Sequence, residues 1–564
     1  MLALRRGGMR NAIRGPAMAA LAWGLAACGS SDPAGEAPHA RNSEVCAPAV
    51  LADAPGARPA TIPALQLWQP GASGYAYGVA SRIVLDPADG AALAETAQVL
   101  AEDLERQGGR RPAIMSGTPV AGDIALSRGH CDARLGAEGY GLRSGPVLEI
   151  QAQESAGVFY GTRTLLQLLA QGSAIPAGHA LDWPRYPERG LMVDAGRKYF
   201  TPEWLRQHIR ELAWLKLNVL HLHFSDNQGF RIESERHPEI VSAEHLSKAE
   251  LRELVALARR HHVTLIGEIG MPGHMTAALA PHPEFQLTDA NGEPAPDKLD
   301  ITNPLARQYA RELVEEFLPL FPGRYWHTGG DEYMASAEYR NYPQLQAYAR
   351  EKHGADANAK DAVLDFVNWL DGVVRSHGRT ARFWHDGVSG GNAVNVNPDT
   401  VVEWWTDFNP IGDLLPPPPQ EFLDRGHTIG NASYWPLYYT VGAAAGFPAG
   451  LPPRPDLCSM YESWEVNEFT GPLNAPAVLC QTVHVLPVKT VATDEARNLG
   501  AKLFVWTDSP EAETEAEIAA GIAPRLRIVA QKTWNSPRLT PRYAAFQPLA
   551  EAIGHAPGYS LPAD

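Results

Sequence analysis

The chain has 564 residues, of which 45% are hydrophobic and 20% are charged, and its formal net charge is −16 at pH 7. These values are typical of a globular protein of two or three domains with a large core, and they exclude disorder on a large scale. The acidic balance argues against nucleic acid or an anionic membrane surface as a partner.

The first 28 residues are typical of an export signal. Four arginines precede an apolar run, Ala17 to Ala27, that is too short to span a bilayer. Small residues directly before Cys28 resemble a bacterial lipoprotein signal, which would make Cys28 a lipid anchor to the membrane; a simple secretory signal is the alternative. Residues 29–60 are rich in Ser, Pro, Gly and Ala and predict a flexible tether. We therefore expect an exported protein, periplasmic or on the bacterial cell surface.

Four more cysteines follow: Cys46, Cys131, Cys458 and Cys480. Their even number fits a compartment that permits disulfides. Spacing favours a Cys458–Cys480 pair, although the sequence does not determine the connectivity. Because the cysteines are widely scattered and form no C-x-x-C pair, a metal knuckle is not expected.

Residues 61–184 predict a small α+β domain. The pattern predicts strands over 81–85 and 147–150, and helices over 91–107 and 157–171. We find no catalytic constellation in this segment and expect a structural role for it.

Strand and helix patterns alternate from residue 185 to residue 535. The helical stretches include 202–215, 248–262, 304–320 and 362–377. The eight strand candidates are Leu191–Gly196, Val219–Asp226, Val263–Gly270, Tyr325–Asp331, Thr380–Gly387, Thr400–Thr406, Thr428–Tyr434 and Lys502–Asp508. Such an alternation predicts a (β/α)₈ TIM barrel, with residues 536–564 as a C-terminal extension.

Unusual polar and aromatic residues collect where these strands end. In a barrel of this kind the carboxyl ends of the strands meet on one rim, where function resides. These residues are Asp194, Arg197, His223, Asp226, Glu268, His274, Asp331, Glu332, Trp384, His385, Asp386, Trp404, Trp405, Tyr434, Trp435, Trp506 and Asp508. Their concentration on one rim predicts an active site there.

The stretch Tyr325 to Tyr333 ends in two glycines followed by the adjacent carboxylates Asp331 and Glu332. The structural alternative is a helix capped by Asp331, with Glu332 in its first turn. A ring of tryptophans around acids suits a sugar, whose C–H faces pack on indole while carboxylates and arginine hold the hydroxyls.

Adjacent acids do not easily flank a glycosidic bond in the way that a nucleophile and an acid must. They fit better if only Glu332 protonates the leaving oxygen. The nucleophile would then come from the substrate, as the carbonyl oxygen of a 2-acetamido group that Asp331 orients and stabilises.

Four motifs carry a family resemblance. They are Arg189-Gly-Leu-Met-Val-Asp-Ala-Gly-Arg197, Lys216-Leu-Asn-Val-Leu-His-Leu-His-Phe-Ser-Asp226, Glu268-Ile-Gly-Met-Pro-Gly-His274 and His327-Thr-Gly-Gly-Asp-Glu332. In order and spacing they resemble glycoside hydrolase family 20, the β-N-acetylhexosaminidases. The preceding segment, with Gly139-Tyr140 and Gly157 to Leu165, resembles the family's non-catalytic N-terminal domain.

The resemblance implies a role for each candidate residue. Asp331 would hold the acetamido N–H and stabilise an oxazolinium intermediate, and Glu332 would act as general acid and then base. Arg197 and Asp508 would bind sugar hydroxyls, and Tyr438 would meet the acetamido carbonyl. The pocket walls would be Trp384, either Trp404 or Trp405, and Trp506. Asp226 and His274 would tune Glu332 through a hydrogen-bonded chain, with His327 as a further supporting residue. No cofactor is implied.

The chain departs from the family pattern at three positions. Gly270 and Thr440 stand where the family usually has Asp, and Asp508 stands where it commonly has Glu. Shorter side chains at the outer wall resemble the lacto-N-biosidase branch, whose members release a disaccharide. The loops containing Pro416–Pro419 and 441–453 lie near the rim and can reshape it.

Two other classes of function remain open. His221, His223 and Asp386 would form a metal site if the barrel were a zinc hydrolase. Gly270 is compatible with a glycan-binding lipoprotein whose catalysis has decayed. The favoured function is a retaining exo-glycosidase that acts on oligosaccharides or glycoconjugates with terminal β-linked N-acetylhexosamine.

Overall fold

The structure is a computed structural model that describes residues 51–407, 416–443, 454, 456–471, 487–534 and 536–560. The expected signal, Cys28, Cys46, Cys480 and most of the 441–453 loop lie outside these residues. Cys131 and Cys458 are each disulfide-bonded. Among the described residues, no helix is both long enough and apolar enough to cross a membrane.

The end of the predicted tether is part of the folded domain instead. The backbone N–H of Ala54 donates to the carbonyl of Trp68 at 2.8 Å, and the carboxylate of Asp53 accepts from the backbone N–H of Trp68 at 2.9 Å. The predicted boundary at residue 60 is therefore too late. The amino-acid composition of residues 51–60 is typical of a linker, and composition alone does not reveal these two hydrogen bonds to the first strand.

The N-terminal domain is a mixed seven-stranded sheet covered by two helices. Its strands are β1 Leu67–Pro70, β2 Tyr75–Ala76, β3 Ile83–Leu85, β4 Ile114–Ser116, β5 Ile124–Arg128, β6 Tyr140–Ser144, β7 Leu148–Ala152, β8 Ala174–Ile175 and β9 Gly178–Asp182; its helices are α1 Gly90–Gly108 and α2 Ser155–Ala170. The sheet order is β1-β9-β6-β7-β5-β3-β4, and β2 pairs with β8. All four predicted elements are present.

Eight parallel strands form the barrel. They are β10 Glu188–Asp194, β11 Val219–His223, β12 Thr264–Glu268, β15 Tyr325–His327, β16 Thr380–Trp384, β17 Val401–Trp404, β18 Thr428–Asn431 and β22 Asn498–Trp506. Strand β22 pairs in parallel with β10, which closes the barrel and confirms the predicted fold class. A short additional strand, β19 Tyr438–Thr440, runs parallel to the C-terminal end of β22.

Helices and smaller elements surround the barrel. The helices are α3 Pro202–Trp214, α4 Lys248–Arg260, α5 Thr276–Leu279, α6 Pro304–Phe317, α7 Pro343–His353, α8 Ala359–Ser376, α9 Pro419–Asp424, α10 Tyr434–Leu437, α11 Leu457–Glu462, α12 Glu515–Trp534 and α13 Tyr543–Ile553. The remaining strands are β13 Gln286–Thr288, β14 Pro294–Leu299, β20 Glu468–Phe469 and β21 Lys489–Thr490. Short 3₁₀ helices of the barrel domain span Pro238–Ile240, Pro283–Phe285, Leu318–Leu320, Tyr339–Asn341 and His385–Val388, and two more, Pro55–Ala57 and Ala133–Leu135, belong to the N-terminal domain.

A column of paired charges fills the lower part of the barrel. Arg382 is bonded at 2.8 Å to both Glu188 and Glu403, and the ammonium of Lys502 lies 2.6 Å from Glu403. All four side chains are buried. Because each charge has an opposite partner, the column forms a polar but electrically balanced base beneath the rim.

Candidate active site

The acid pair follows β15 on a backbone that only glycine adopts easily. Gly329 and Gly330 have φ angles of 75° and 100°, which end the strand at His327, four residues earlier than predicted. A Cβ on Gly329 would lie 2.7 Å from the Cα of Gly270. The close approach of these two loops places Asp331 and Glu332 on the rim.

Asp386 holds the backbone of Glu332. Glu332 itself has a left-handed φ of 49°, which is uncommon for a residue with a side chain. Its backbone N–H donates to Asp386 Oδ2 at 2.8 Å, and the indole N–H of Trp405 donates to Asp386 Oδ1 at 2.9 Å. One carboxylate thus positions both an acid and an aromatic wall.

His274 lies between the acid pair and Asp226. Its Nε2 is 3.3 Å from Glu332 Oε2 and 3.7 Å from Asp331 Oδ2, while its Nδ1 is 3.3 Å from Asp226 Oδ1. Asp226 also accepts from His223 at 3.0 Å and pairs with Arg197 at 2.9 Å. The structure therefore contains the contacts of the predicted chain that runs from Asp226 through His274 to Glu332.

The pKa values of this group are strongly shifted. Burial raises the pKa of Asp331 to about 7, against the attraction of His274. Burial alone would lower the pKa of His274, but Asp331 and Asp226 outweigh it and raise that pKa well above its usual value. A carboxyl poised near neutral pH beside an imidazolium is the type of pair found at catalytic sites.

Glu268, one of the residues at the predicted rim, lies at the centre of the floor of the site. Its carboxylate is within 3.0 Å of ring nitrogens of His221, His223 and His327, and it accepts from the indole of Trp384 at 2.9 Å. Burial would raise its pKa, but His327 and His223 outweigh burial and lower it. Its position at the end of β12 was the available signal. That signal did not show that four side chains converge on it.

Four predicted aromatic residues line one wall. The ring of Trp506 lies 5.8 Å from both Trp384 and Tyr438, and Tyr438 stacks at 12° on Trp405. Arg197 lies over Trp506, with its guanidinium carbon 5.3 Å from the ring centre. Hydrogen bonds to Asp194 at 2.8 Å and 3.0 Å fix Arg197 in this place.

Trp404 lies outside this group. It is fully buried, its indole donates to the carbonyl of Pro417 at 2.9 Å, and it packs on His385 and Phe469. Of the two wall candidates, Trp405 is therefore at the wall and Trp404 is not, because successive residues of a strand point to opposite faces. Asp508 lies exposed just beyond β22, and Thr440 lies beside Trp506 in the strand register.

A cleft of about 420 Å³ opens beside Glu332. Trp405, Asp386 and Lys360 also line it. Lys360 donates to the backbone carbonyl of Asp386 at 2.9 Å, and burial lowers its pKa to about 8. The cleft therefore provides solvent-accessible space next to the Glu332 carboxylate.

The alternative metal site is not formed by the residues proposed for it. Asp386 accepts from the backbone of Glu332 and the indole of Trp405, while His223 faces Asp226 and Glu268. Within the described part of the chain, groups of metal-ligating side chains do not include Asp386. This arrangement gives no support to a zinc hydrolase that uses these three residues.

The barrel, the adjacent acids and the aromatic wall define a barrel glycoside hydrolase. The catalytic domain of glycosyl hydrolase family 20 matches residues 186–537, and domain 2 of that family matches residues 58–183. The chain belongs to glycosyl hydrolase family 20.

Known proteins of several bacteria are similar to this chain. A lacto-N-biosidase of Bifidobacterium bifidum is 30% identical over 490 residues, which are 85% of this chain but 40% of that protein. A β-N-acetylhexosaminidase of Cellulomonas fimi is 28% identical and covers 81% of this chain and 87% of its own length. The first match thus spans well under half of its relative.

Solved structures share the fold. A Streptomyces plicatus N-acetyl-β-hexosaminidase has a TM-score of 0.65 at 24% identity and covers 88% of this chain and 94% of its own. An exo β-N-acetylglucosaminidase of Vibrio harveyi has a TM-score of 0.67 at 20% identity, with 88% and 78% covered.

Proposed function

We propose that this protein is a retaining exo-glycosidase that removes terminal non-reducing β-linked N-acetylhexosamine through an oxazolinium intermediate. The observation that carries the proposal is that one nitrogen, His274 Nε2, contacts both Asp331 and Glu332. Two carboxylates that share one partner lie on the same side of the site. They therefore do not supply a nucleophile and an acid on opposite sides of the bond.

In the first step the acetamido oxygen of the substrate attacks its own anomeric carbon while Glu332 protonates the departing oxygen. Asp331 accepts the acetamido N–H and stabilises the positive charge that spreads over the amide. In the second step Glu332 takes a proton from a water that attacks the same face, which restores the acetamido group. Two displacements at one carbon give net retention.

The surrounding residues suit the substrate. Tyr438 and Trp405 offer stacked rings to the N-acetyl group and the sugar face, and Arg197 offers N–H donors to hydroxyls. The cleft beside Glu332 gives the leaving portion of an oligosaccharide or glycoconjugate a place to lie.

A second candidate is release of a disaccharide. The match to a lacto-N-biosidase covers 85% of this chain, and the outer wall carries the short side chains of Thr440 and Asp508. Short side chains at these two positions would leave room for one more sugar beyond the terminal N-acetylhexosamine.

Product analysis separates these candidates. Mass spectrometry of digests of N-acetylated oligosaccharides with differing non-reducing ends should show N-acetylhexosamine as the first product. Exclusive disaccharide release would replace the main proposal by the second candidate. Turnover that is absent in the wild type and in Glu332→Gln alike would instead favour a glycan-binding protein.

We further propose that the protein is exported and anchored by a lipid on Cys28. The signal pattern supports this, and disulfides at Cys131 and Cys458 fit an oxidising compartment. Radiolabelled palmitate should enter the wild-type protein and not Cys28→Ala in a bacterial host. Equal labelling of both would contradict the anchor.

A further inference from the structure

Two short turns on the rim repeat the sequence His-Pro-Glu. One is His237-Pro238-Glu239, after β11, and the other is His282-Pro283-Glu284, after β12. In each turn the histidine precedes a 3₁₀ helix that starts with proline, and its φ and ψ angles are −132° and 63° in one turn and −126° and 60° in the other. The two turns meet, with the histidine ring centres 6.1 Å apart.

Glu239 lies between the two imidazoles. Its Oε1 is 2.8 Å from His282 Nε2 and 3.3 Å from His237 Nδ1, and one ligand atom from each of the three residues lies within 4.8 Å of the others. Tetrahedral zinc, with bonds of about 2.0–2.1 Å to nitrogen and oxygen, holds its ligand atoms about 3.3 Å apart. Two of the three distances between ligand atoms, 2.8 Å and 3.3 Å, already lie near this value, so the main adjustment on binding would bring the two imidazole nitrogens closer together.

The second nitrogen of each ring also faces a carboxylate. His237 Nε2 is 3.1 Å from Glu312 Oε2, and His282 Nδ1 is 3.5 Å from Glu284 Oε1. Metal-bound histidines are commonly oriented in this way, by a carboxylate on the nitrogen that does not touch the metal. When His237 donates from Nε2 to Glu312, its Nδ1 presents a lone pair on the side of Glu239, where the ion would bind.

Aromatic neighbours fix both rings. The ring of Tyr309 lies 4.8 Å from that of His237 and 5.1 Å from that of His282, and Phe285 stacks on His282 at 5.4 Å. The side chain of Glu239 is 40% exposed, so ions and water can reach the cluster. The two imidazoles are thus held in place by packing, and the carboxylate between them is open to solvent.

The other two clusters of this kind in the described residues differ. Asp194, His223 and Asp226 are buried, and Arg197 pairs with both carboxylates. His221, Glu268 and His327 are buried beneath Trp384, which donates to Glu268. In both groups a protein cation or donor already occupies the carboxylates, and neither group is open to solvent.

We propose that His237, Glu239 and His282 form a structural site for a zinc-class divalent metal ion, with water as a fourth ligand. The ion joins the loop that carries Asp226 to the loop that carries His274. The ion takes no part in bond cleavage.

Cobalt and zinc titrations of the full chain, without a histidine tag and with its disulfides intact, test the proposal. The chelator-treated protein should bind one equivalent of Co²⁺ with the strong visible bands of four-coordinate cobalt, and Zn²⁺ should displace it. Saturating Zn²⁺ should raise the thermal midpoint by about 2 °C.

Matched variants identify the ligands. The double variant His237→Ala/His282→Ala should lose both signals, whereas His377→Ala should keep them, since His377 is a surface histidine 3.7 Å from a single carboxylate, Glu315. Glu239→Gln keeps an oxygen at the same place but removes its charge, and should weaken binding at least about tenfold. No cobalt bands in the wild type, or unchanged binding in Glu239→Gln, would overturn the proposal.

Discussion

Asp331 is the residue whose chemistry depends most on its surroundings. Its carboxyl lies near three other acids, Asp386, Glu268 and Glu332, and opposite one cation, His274. Burial raises its pKa to about 7, so at neutral pH the folded protein keeps a carboxylate in a place that disfavours it. We infer that this carboxylate lowers the stability of the fold and in return provides a negative charge next to the position of the oxazolinium intermediate.

Replacing Asp331 by Asn should therefore stabilise the fold above neutral pH. The folded pKa of about 7 exceeds the unfolded value of 3.8, so between these pH values the native state binds more protons than the unfolded chain does. The free energy of unfolding of the wild type then falls as pH rises through this window. In Asp331→Asn this fall is absent, because asparagine does not titrate. We expect a gain on the order of 1 kcal/mol at about pH 8 and little gain at about pH 4, partly offset by the lost attraction to His274.

Thermal unfolding of wild type and variant across this pH range measures the difference. Asp399→Asn is the control, since its carboxylate is 76% exposed. A gain for Asp331→Asn that does not depend on pH would contradict the assigned pKa shift.

The loops after β15, β16 and β17 act together as one element of the site. Asp386, in the turn after β16, bonds to the backbone of Glu332 on one side and to Trp405 on the other. None of these residues adjoins another in the chain, so the site depends on the register of three neighbouring strands.

Asp386→Ala should lower kcat by about 10²-fold, because Glu332 would move from its position when its backbone loses this hydrogen bond. KM should rise much less, because most contacts with the sugar remain. Steady-state kinetics on an aryl N-acetylglucosaminide give both constants. Asp399→Ala should leave both unchanged. An effect of Asp386→Ala on KM alone would show that Asp386 holds the wall and not the acid.

Two glycines that face each other should respond differently to alanine. At Gly329 a Cβ would lie 2.7 Å from the Cα of Gly270 and would require a φ of 75°, so we expect a loss of about 2–4 kcal/mol. At Gly270 the nearest atom would be His223 Cε1 at 3.6 Å, so the change should stay below about 1 kcal/mol. Urea unfolding tests this; equal losses would contradict the packing.

Most of the barrel was predictable because its strands and helices follow regular periods. The strand ends were less so. The candidate Tyr325–Asp331 stops at His327 because Gly329 and Gly330 turn the chain, and the candidate Thr428–Tyr434 stops at Asn431 before a helical turn. The acids and the wall were found from their positions at strand ends. The four side chains that converge on Glu268, the choice of Trp405 over Trp404 and the two hydrogen bonds accepted by Asp386 were not predictable, since they depend on distances between strands.

A buried ion pair between Lys216 and Asp182 connects the N-terminal domain to the barrel. The ammonium of Lys216, at the start of the barrel, lies 2.8 Å from Asp182 of β9 and 2.7 Å from the hydroxyl of Tyr140. Asp182 also accepts from the indole of Trp534 at the end of α12. The N-terminal domain is thus fixed to both ends of the barrel sequence.

Lys216→Met should destabilise both domains together, because it leaves Asp182 buried without its cation. We expect a cost of about 3–5 kcal/mol. Calorimetry should show one transition, shifted to lower temperature. Arg143→Ala is the control, since it breaks an exposed pair with Glu149 and should cost less than about 1 kcal/mol. Two separate transitions would show that the domains fold independently.

The central claim is that the amide of the sugar acts as the nucleophile. It is tested most directly by comparing kcat/KM for aryl β-glycosides that differ only in the group at carbon 2: acetamido, its mono-, di- and trifluoroacetamido analogues, and hydroxyl. We predict that the rate falls steadily with each fluorine, as the carbonyl oxygen loses electron density, and that the 2-hydroxy substrate is not cleaved. Equal rates along the fluorinated series, or comparable cleavage of the 2-hydroxy glycoside, would contradict this mechanism.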